Sequence, residues 1–398
     1  MSFDIALSGI QAINEQLETV SNNIANAATY GFKAGRANFS TVMAGTRTNG
    51  VEIGSVTQNI SQNGSTTTTG RGLDAAIDGR GFFVSRDAQG GTTYSRVGIF
   101  STDTQGSLID SNGRTVQGYG PSANGTLGAM GDIKVPTGQI PAVATKSVAF
   151  VGNLSAQWEK PTVTTVDPDN TASYNMVKQS IAYDSLGAQH TVSQYFVKTG
   201  DNAINVYYGV DKNPVSAAAG SFTKLSFNED GTLKDGAKGV SITLPASNGS
   251  LATTLAVDYT GTTQFAGEAT TTTNRSDGYA SGAFVGVELS SDGSLVAKYS
   301  NDQSQVVGTV AIATFANEGA LQAISDTSWT ANSTSGAALY NTPGIGLAGK
   351  LSTGSLEGSN VDITSELVGL MTSQRNYQAN SKVLTTESAM MQALMQAL

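Results

Sequence analysis

Cysteine is absent from the 398 residues, which excludes disulfides, thiolate-bound zinc and thiol catalysis. Histidine occurs once, at His190, so imidazole clusters for a metal are excluded and any Ser-His-Asp relay depends on that one side chain. Charged residues make up only 13% of the chain, with a net charge of −9. No basic run exists to reward nucleic acid, or to hold an anionic membrane surface. No apolar run reaches the roughly 18 residues of a membrane span, and the start lacks the basic, apolar and small-residue succession of a cleaved signal. Export, if it occurs, leaves the chain uncleaved. Proline is missing from both ends: all eight prolines lie between Pro121 and Pro343. Inside a helix each would cost about 3 kcal/mol, so the ends suit long helices.

What is present divides the chain sharply. Near the start, Phe3, Ala6, Ile10, Ile13, Leu17, Val20, Ile24 and Ala27 alternate spacings of three and four. Near the end, Ile363, Leu367, Leu370, Gln374, Tyr377, Ser381, Leu384, Ser388, Met391, Met395 and Leu398 do the same. This is the heptad pattern of a coiled-coil seam. It predicts one helix over about Ser2–Ala28, stopped at Gly31, and a second from Asp362 to Leu398. The polar a-type positions Gln374, Ser381 and Ser388 lower stability but fix register and partner.

The 46 glycines and many small polar residues between the helices read as β-strands and turns. Gly81-Phe82-Phe83-Val84 is a buried-strand signal. An acidic or polar residue followed by Gly, a hydroxyl residue and Leu recurs at Asp103–Leu108, Glu229–Leu233 and Ser291–Leu295, each a hairpin turn leading into a strand. Irregular spacing makes this shared turn chemistry and no solenoid. The expected fold class is mainly β with terminal α-helices, nested β domains being inserted between N- and C-terminal coiled-coil helices. The expected divisions are residues 1–33 with 360–398 as a terminal helical domain and 34–70 as an extended linker. Residues 71–147 with 281–359 form a discontinuous β domain, and 148–280 an inserted outer β domain.

Nothing selects an active site. His190 reads as a surface strand residue, and Gly70-Arg71-Gly72 and Gly344-Ile345-Gly346 lack the rest of a phosphate loop. Asp167-Pro168-Asp169-Asn170 lacks the distal Glu of a calcium loop and reads as an exposed turn. Carboxylate pairs for glycan cleavage are set by spatial and not sequence spacing. The chain is therefore read as no enzyme, with no catalytic residue, cofactor or metal.

Residues Ser21-Asn22-Asn23-Ile24-Ala25-Asn26-Ala27-Ala28-Thr29-Tyr30-Gly31-Phe32-Lys33 closely resemble the N-terminal signature of bacterial flagellar rod and hook proteins. Gly70–Gly79 with Gly81-Phe82-Phe83, Tyr94-Ser95-Arg96-Val97-Gly98-Ile99-Phe100, Ser359-Asn360-Val361-Asp362, Glu366-Leu367-Val368 and Gln374–Asn380 resemble later motifs of the same family in order. The spacer Ala27-Ala28 is more apolar than usual. Length and the middle β unit favour the hook over the shorter rod members. The resemblance implies a homopolymer, a flexible helical tube carrying torque from rod to filament, with paired terminal helices lining its inner wall. It implies partners in the rod, the hook-filament junction, the hook cap and the export apparatus, and a place on the cell exterior reached by type III export, with no nucleic acid and no membrane insertion. The implied subunit-interface residues are Ile10, Ile13, Leu17, Val20, Asn22, Asn23, Ile24, Asn26, Leu367, Leu370, Gln374, Tyr377, Leu384, Met391 and Leu398. The Asn22, Asn23 and Asn26 amides are expected to bond to neighbouring subunits' backbone. A distal rod protein of the same family is the alternative. From other classes, a secreted β-rich adhesin or carbohydrate binder, or a glycan-cleaving enzyme, fits the composition but leaves the terminal heptads unexplained.

Overall fold

The structure is a computed structural model that describes residues 2–45, 47–121, 127–163, 165–211, 222–246 and 248–397. Leu398, the last expected seam residue, lies outside the described residues. The chain divides into two compact units: Met1–Thr137, Val285–Lys298 and Ser304–Leu398 form one, Gly138–Phe284 with Tyr299–Gln303 the other.

The first unit begins with α1 (Ser2–Ala25) and ends with α2 (Ile363–Ala397). Asp362 starts α2 by accepting from the Thr364 N–H and the Ser365 hydroxyl, satisfying donors that a helix start leaves free. Segment 34–70, expected as an extended linker, is largely a long antiparallel hairpin of β1 (Gly35–Ala44) and β2 (Arg47–Gln58). Its weak alternation hid the pairing, because one face rests on α1 and the hairpin has no core of its own.

The early strands of this unit find their partners in the late ones. β3 (Thr66–Thr68) pairs with Ser355–Glu357, and β4 (Ala75–Asp78) with Lys350–Thr353. β5 (Phe82–Arg86) meets Ile312–Thr314, and β6 (Thr92–Ser95) meets Ser328–Thr330. The core packs Phe82, Val84 and Tyr94 against Ala311, Ala313, Phe315 and Trp329. Tyr94 and Phe315 meet edge-on with ring centres 4.8 Å apart, and the Trp329 indole N–H donates to Gln58 Oε1 at 2.7 Å. The recurrent turns hold as read: Asp103, Asp230 and Asp292 each accept the backbone N–H two residues on.

The second unit is a two-sheet sandwich. A meander of Met176–Tyr183, Gln189–Gly200, Ala203–Val210, Phe222–Phe227 and Leu233–Asp235 makes one sheet. In the other, Ser147–Asn153 runs parallel to Thr253–Asp258 and antiparallel to Thr270–Ser276. Alternating residues such as Phe150, Phe196, Val206, Leu225 and Val257 fill the space between. A polar chain crosses this core. Tyr208 bonds Thr223 and Tyr259, the Tyr259 hydroxyl donates to Gln194 Oε1, and Gln194 Nε2 donates to the Ser180 hydroxyl, which bonds Asn274. Burial pushes the Tyr208 phenol up to about 12 against its two hydroxyl partners, so it stays neutral.

His190 departs from the surface position expected of it. It is buried, with Nδ1 2.9 Å from Asp211 Oδ2 and Nε2 3.8 Å from the buried Asp184 Oδ2. Asp184 closes the preceding hairpin by accepting from the Leu186 and Ala188 N–H groups, and this turn draws the imidazole inward.

Candidate functional site

The terminal helices pack against each other, and the contacts fix both direction and register. Asn23 Nδ2 donates to Glu366 Oε1 at 2.9 Å. A Cβ on Gly369 would stand 3.9 Å from Val20 Cγ2, and one on Gly9 would stand 3.1 Å from Asn380 Nδ2. Three residues back along α1 thus match three forward along α2, and eleven more match eleven: the pair is antiparallel without a slip. The approach at Gly9 is close: a methyl group there would need the Asn380 amide to yield by a few tenths of an ångström, and a larger side chain would need more.

The α1 face turned inward carries Ala6, Gly9, Ala12, Ile13, Val20 and Asn23, all buried. From α2 come Gly369, Leu370, Ser373, Asn380, Ser381 and Leu384, buried or half-buried. Of the residues read as one seam, Ile13 and Val20 are buried, and Ile10, Leu17, Ile24, Leu370 and Leu384 are half-buried. Leu367 (47% exposed), Gln374, Tyr377 (39%) and Met391 (61%) are exposed, Met391 lying past the start of α1. The sequence reading placed the α2 seam on large residues alternating with Gln374, Ser381 and Ser388. The chain turns Leu370, Ser381 and Leu384 toward α1 and adds the small Gly369 and Ser373, because the Asn23–Glu366 bond and the close Gly9 crossing set the rotation. Leu367, Val368 and Met371 are left exposed.

The asparagine cluster is also redirected. Asn23 is buried, and its amide clamps the start of β1: Oδ1 accepts the Gly35 N–H at 2.8 Å and Nδ2 donates to the Gly35 carbonyl at 2.8 Å. With Glu366 added, both amide hydrogens of Asn23 are used within the chain. Asn26 Nδ2 donates to Asn22 O and Oδ1 and closes the helix end, whereas Asn22 is exposed. The Ser8 hydroxyl accepts from the Val51 N–H, so the β1–β2 hairpin is held against α1 at both ends.

Where the helices join the β structure, one carboxylate gathers both chain crossings. Glu357, Lys33 and Arg96 are no more than 2% exposed. Lys33 Nζ donates to Glu357 Oε1 and to the Gln62 carbonyl, each at 2.7 Å. Glu357 also accepts the Gly64 N–H at 3.0 Å and pairs with the Arg96 guanidinium at 3.3 Å. Its carbonyl takes the Gly31 N–H at 2.8 Å. Gly31 has φ +69°, and a Cβ would come within 2.9 Å of Val97, so the sharp exit from α1 needs glycine. Asn360 finishes the joint by accepting from the Ala34 N–H and donating to the Asn59 and Gln62 carbonyls. Burial lowers the Lys33 ammonium from its ordinary range, the Glu357 carboxylate opposing it and Arg96 adding to it. Burial likewise lowers the Arg96 guanidinium against Glu357 and Glu318. A region with two buried cations and one fully buried anion resists opening, since a lost partner leaves charge stranded in low dielectric.

Glu357 carries no local signal, and the sequence reading missed it. Its partners lie 261 and 324 residues away. Among the described residues, no group of three His, Asp or Glu side chains is placed to hold a metal, and no helix is long and apolar enough to cross a membrane.

Family comparisons match the chain in consecutive pieces. Residues 3–33 match the flagella basal body rod protein family and 76–156 the flagellar hook protein FlgE/F/G D1 domain. Residues 153–279 match the flagellar basal body protein FlaE D2 domain and 352–397 the flagellar basal body rod FlgEFG protein C-terminal family. Rod and hook proteins share several of these, so whole-chain relatives decide. The flagellar hook protein FlgE of Escherichia coli K12 is 38% identical over 400 residues, covering 99% of both chains. The chain belongs to the flagellar hook protein family. Hook proteins of Salmonella typhimurium and Brucella suis biovar 1 are 38% and 32% identical over 99% and 98% of it. The crystal structure of Helicobacter pylori flagellar hook protein FlgE2 shares the fold, with a TM-score of 0.53 over 73% of this chain and all of that one, at 12% identity.

Proposed function

We propose that this chain is the structural subunit of the bacterial flagellar hook, polymerising into a flexible helical tube that transmits torque from rod to filament. The observation that carries the reading is that α2 packs a stripe of mostly small residues on α1 and leaves several large apolar side chains exposed. Leu367, Val368 and Met371 are exposed off that stripe, Met391, Leu394 and Met395 are exposed beyond the start of α1, and a second copy of the chain is what covers them. A head-to-tail contact that does not close into a ring grows a filament. Each large side chain covered contributes about 1.5–3 kcal/mol before ordering entropy is subtracted. The inner helices hold while the polar, glycine-rich β units slide past one another as the tube bends.

In this reading the chain is no enzyme. It contacts the rod and the hook-filament junction, and it meets the hook cap and export apparatus during assembly. It reaches the cell exterior uncleaved by the flagellar type III route. Immunogold electron microscopy with antibody to residues 150–280 tests this. Gold on the short curved segment between basal body and filament is expected. Gold on the straight rod would shift the reading to a rod protein, and gold elsewhere on the cell surface to an adhesin.

A further inference from the structure

On the antiparallel register set by Asn23–Glu366 and Gly9–Asn380, Ser2 faces Glu387. The α2 residues from Ser388 to Ala397 therefore run past the start of α1. That overhang carries Met390, Met391, Leu394 and Met395, which are 62, 61, 67 and 77% exposed and share one side of the helix. Three of the four are thioethers in a chain without cysteine, so methionines are its only sulfur-bearing side chains. Elsewhere Met43 and Met371 are each 54% exposed, Met130 is 37% exposed, and Met176 packs against the sandwich core. The three overhang methionines are thus the most exposed methionines described.

We infer that Met390, Met391 and Met395 form an oxidation-sensitive modification site that decides whether a free chain can join the polymer. This rests on the proposed reading that a second copy covers the exposed large side chains of α2. Each thioether sulfur donates an electron pair to one oxygen of hydrogen peroxide. The O–O bond breaks, an S–O bond forms and water leaves, so sulfur is oxidised by two electrons and the peroxide is reduced by two. The product is a sulfoxide, a strong hydrogen-bond acceptor where an apolar surface has to be covered. The overhang has no α1 residue opposite it, so the chain folds as before and only its addition to a polymer suffers. Once assembled, the same sulfurs are shielded, and the chemistry acts on unassembled chains alone.

The test uses the full chain as monomer, graded hydrogen peroxide, peptide mass spectrometry for each methionine, and sedimentation of polymer. Met390, Met391 and Met395 are expected to oxidise ahead of Met130 and Met176. The concentration needed for assembly should then rise about tenfold or more, and methionine sulfoxide reductases should restore it. The variant M390L/M391L/M395L keeps the apolar volume and should assemble equally well before and after peroxide. Loss of its assembly on oxidation would overturn the assignment of the site, as would normal assembly of chains carrying all three sulfoxides. Peroxide added to finished polymer separates the two layers. Protection of the three sulfurs relative to monomer supports the underlying reading, and undiminished reactivity there would sink that reading and the inference with it.

Discussion

Glu357 shows what a single side chain can be asked to hold. It receives Lys33, Arg96 and the Gly64 N–H without exposure to water. Lys33→Met should therefore destabilise the first unit by about 3–5 kcal/mol, the cost of breaking a buried pair from one side. Urea unfolding followed by near-UV circular dichroism checks this, and a loss below about 1 kcal/mol would mean that water reaches the joint. Asp184 and Asp211 make a pH prediction for the second unit. Burial pulls the Asp184 carboxyl up, but the Ala188 N–H, the Ser250 hydroxyl, the Leu186 N–H and His190 outweigh it and hold it below 3.8. Asp211 is lowered likewise, burial being outweighed by His190 and the Thr191 N–H. A carboxyl depressed in the folded state contributes stability that is present above its unfolded value and lost as pH falls through the folded one. Urea midpoints should thus hold steady down to about pH 4 and fall below it. In Asp184→Asn the midpoint should start lower and fall less steeply.

At the scale of elements, the helix pair is tuned for closeness. Gly9→Ala should be within about 1 kcal/mol of neutral, because gained helix propensity offsets the squeeze on Asn380. Gly9→Leu should cost about 1–3 kcal/mol by prising the helices apart, seen as lost helical signal at 222 nm. Met391→Asp should leave that signal intact and abolish tubes in electron micrographs, since Met391 is exposed and lies past the start of α1. The periodicity of both ends was legible because heptads persist through Phe3–Ala27 and Ile363–Met395. The rotation of α2 was not, because size alone ranks Leu367 and Val368 above Ser373 and Gly369, and only the partner's shape reverses that order. The turns at Asp103, Asp230 and Asp292 were legible because their chemistry is complete within a few residues. Lys33–Glu357 and the Asn23–Gly35 clamp were not, since their partners are chosen by the fold.

At the scale of the whole molecule, the two units differ in how far along the chain their contacts reach. The strand pairs of the sandwich lie within residues 147–276. A fragment spanning 138–284 should therefore fold alone with a cooperative thermal transition; a broad, non-cooperative one would contradict this. In that fragment Gln194→Leu should cost about 1–3 kcal/mol, because it removes the acceptor of the buried Tyr259 hydroxyl and the donor to Ser180, leaving each one hydrogen bond short. The first unit cannot close so locally, for β3, β4, β5 and β6 wait on strands from Ile312–Thr314 to Ser355–Glu357. Glu357 also supplies the counter-charge for Lys33 and Arg96. A chain delivered from its N-terminus therefore meets a threshold: the sandwich can form early, while α1, the hairpin and the early strands stay open until residue 357 and α2 arrive. Folding order itself then acts as a timer, with the polymerising end of the molecule the last part to mature.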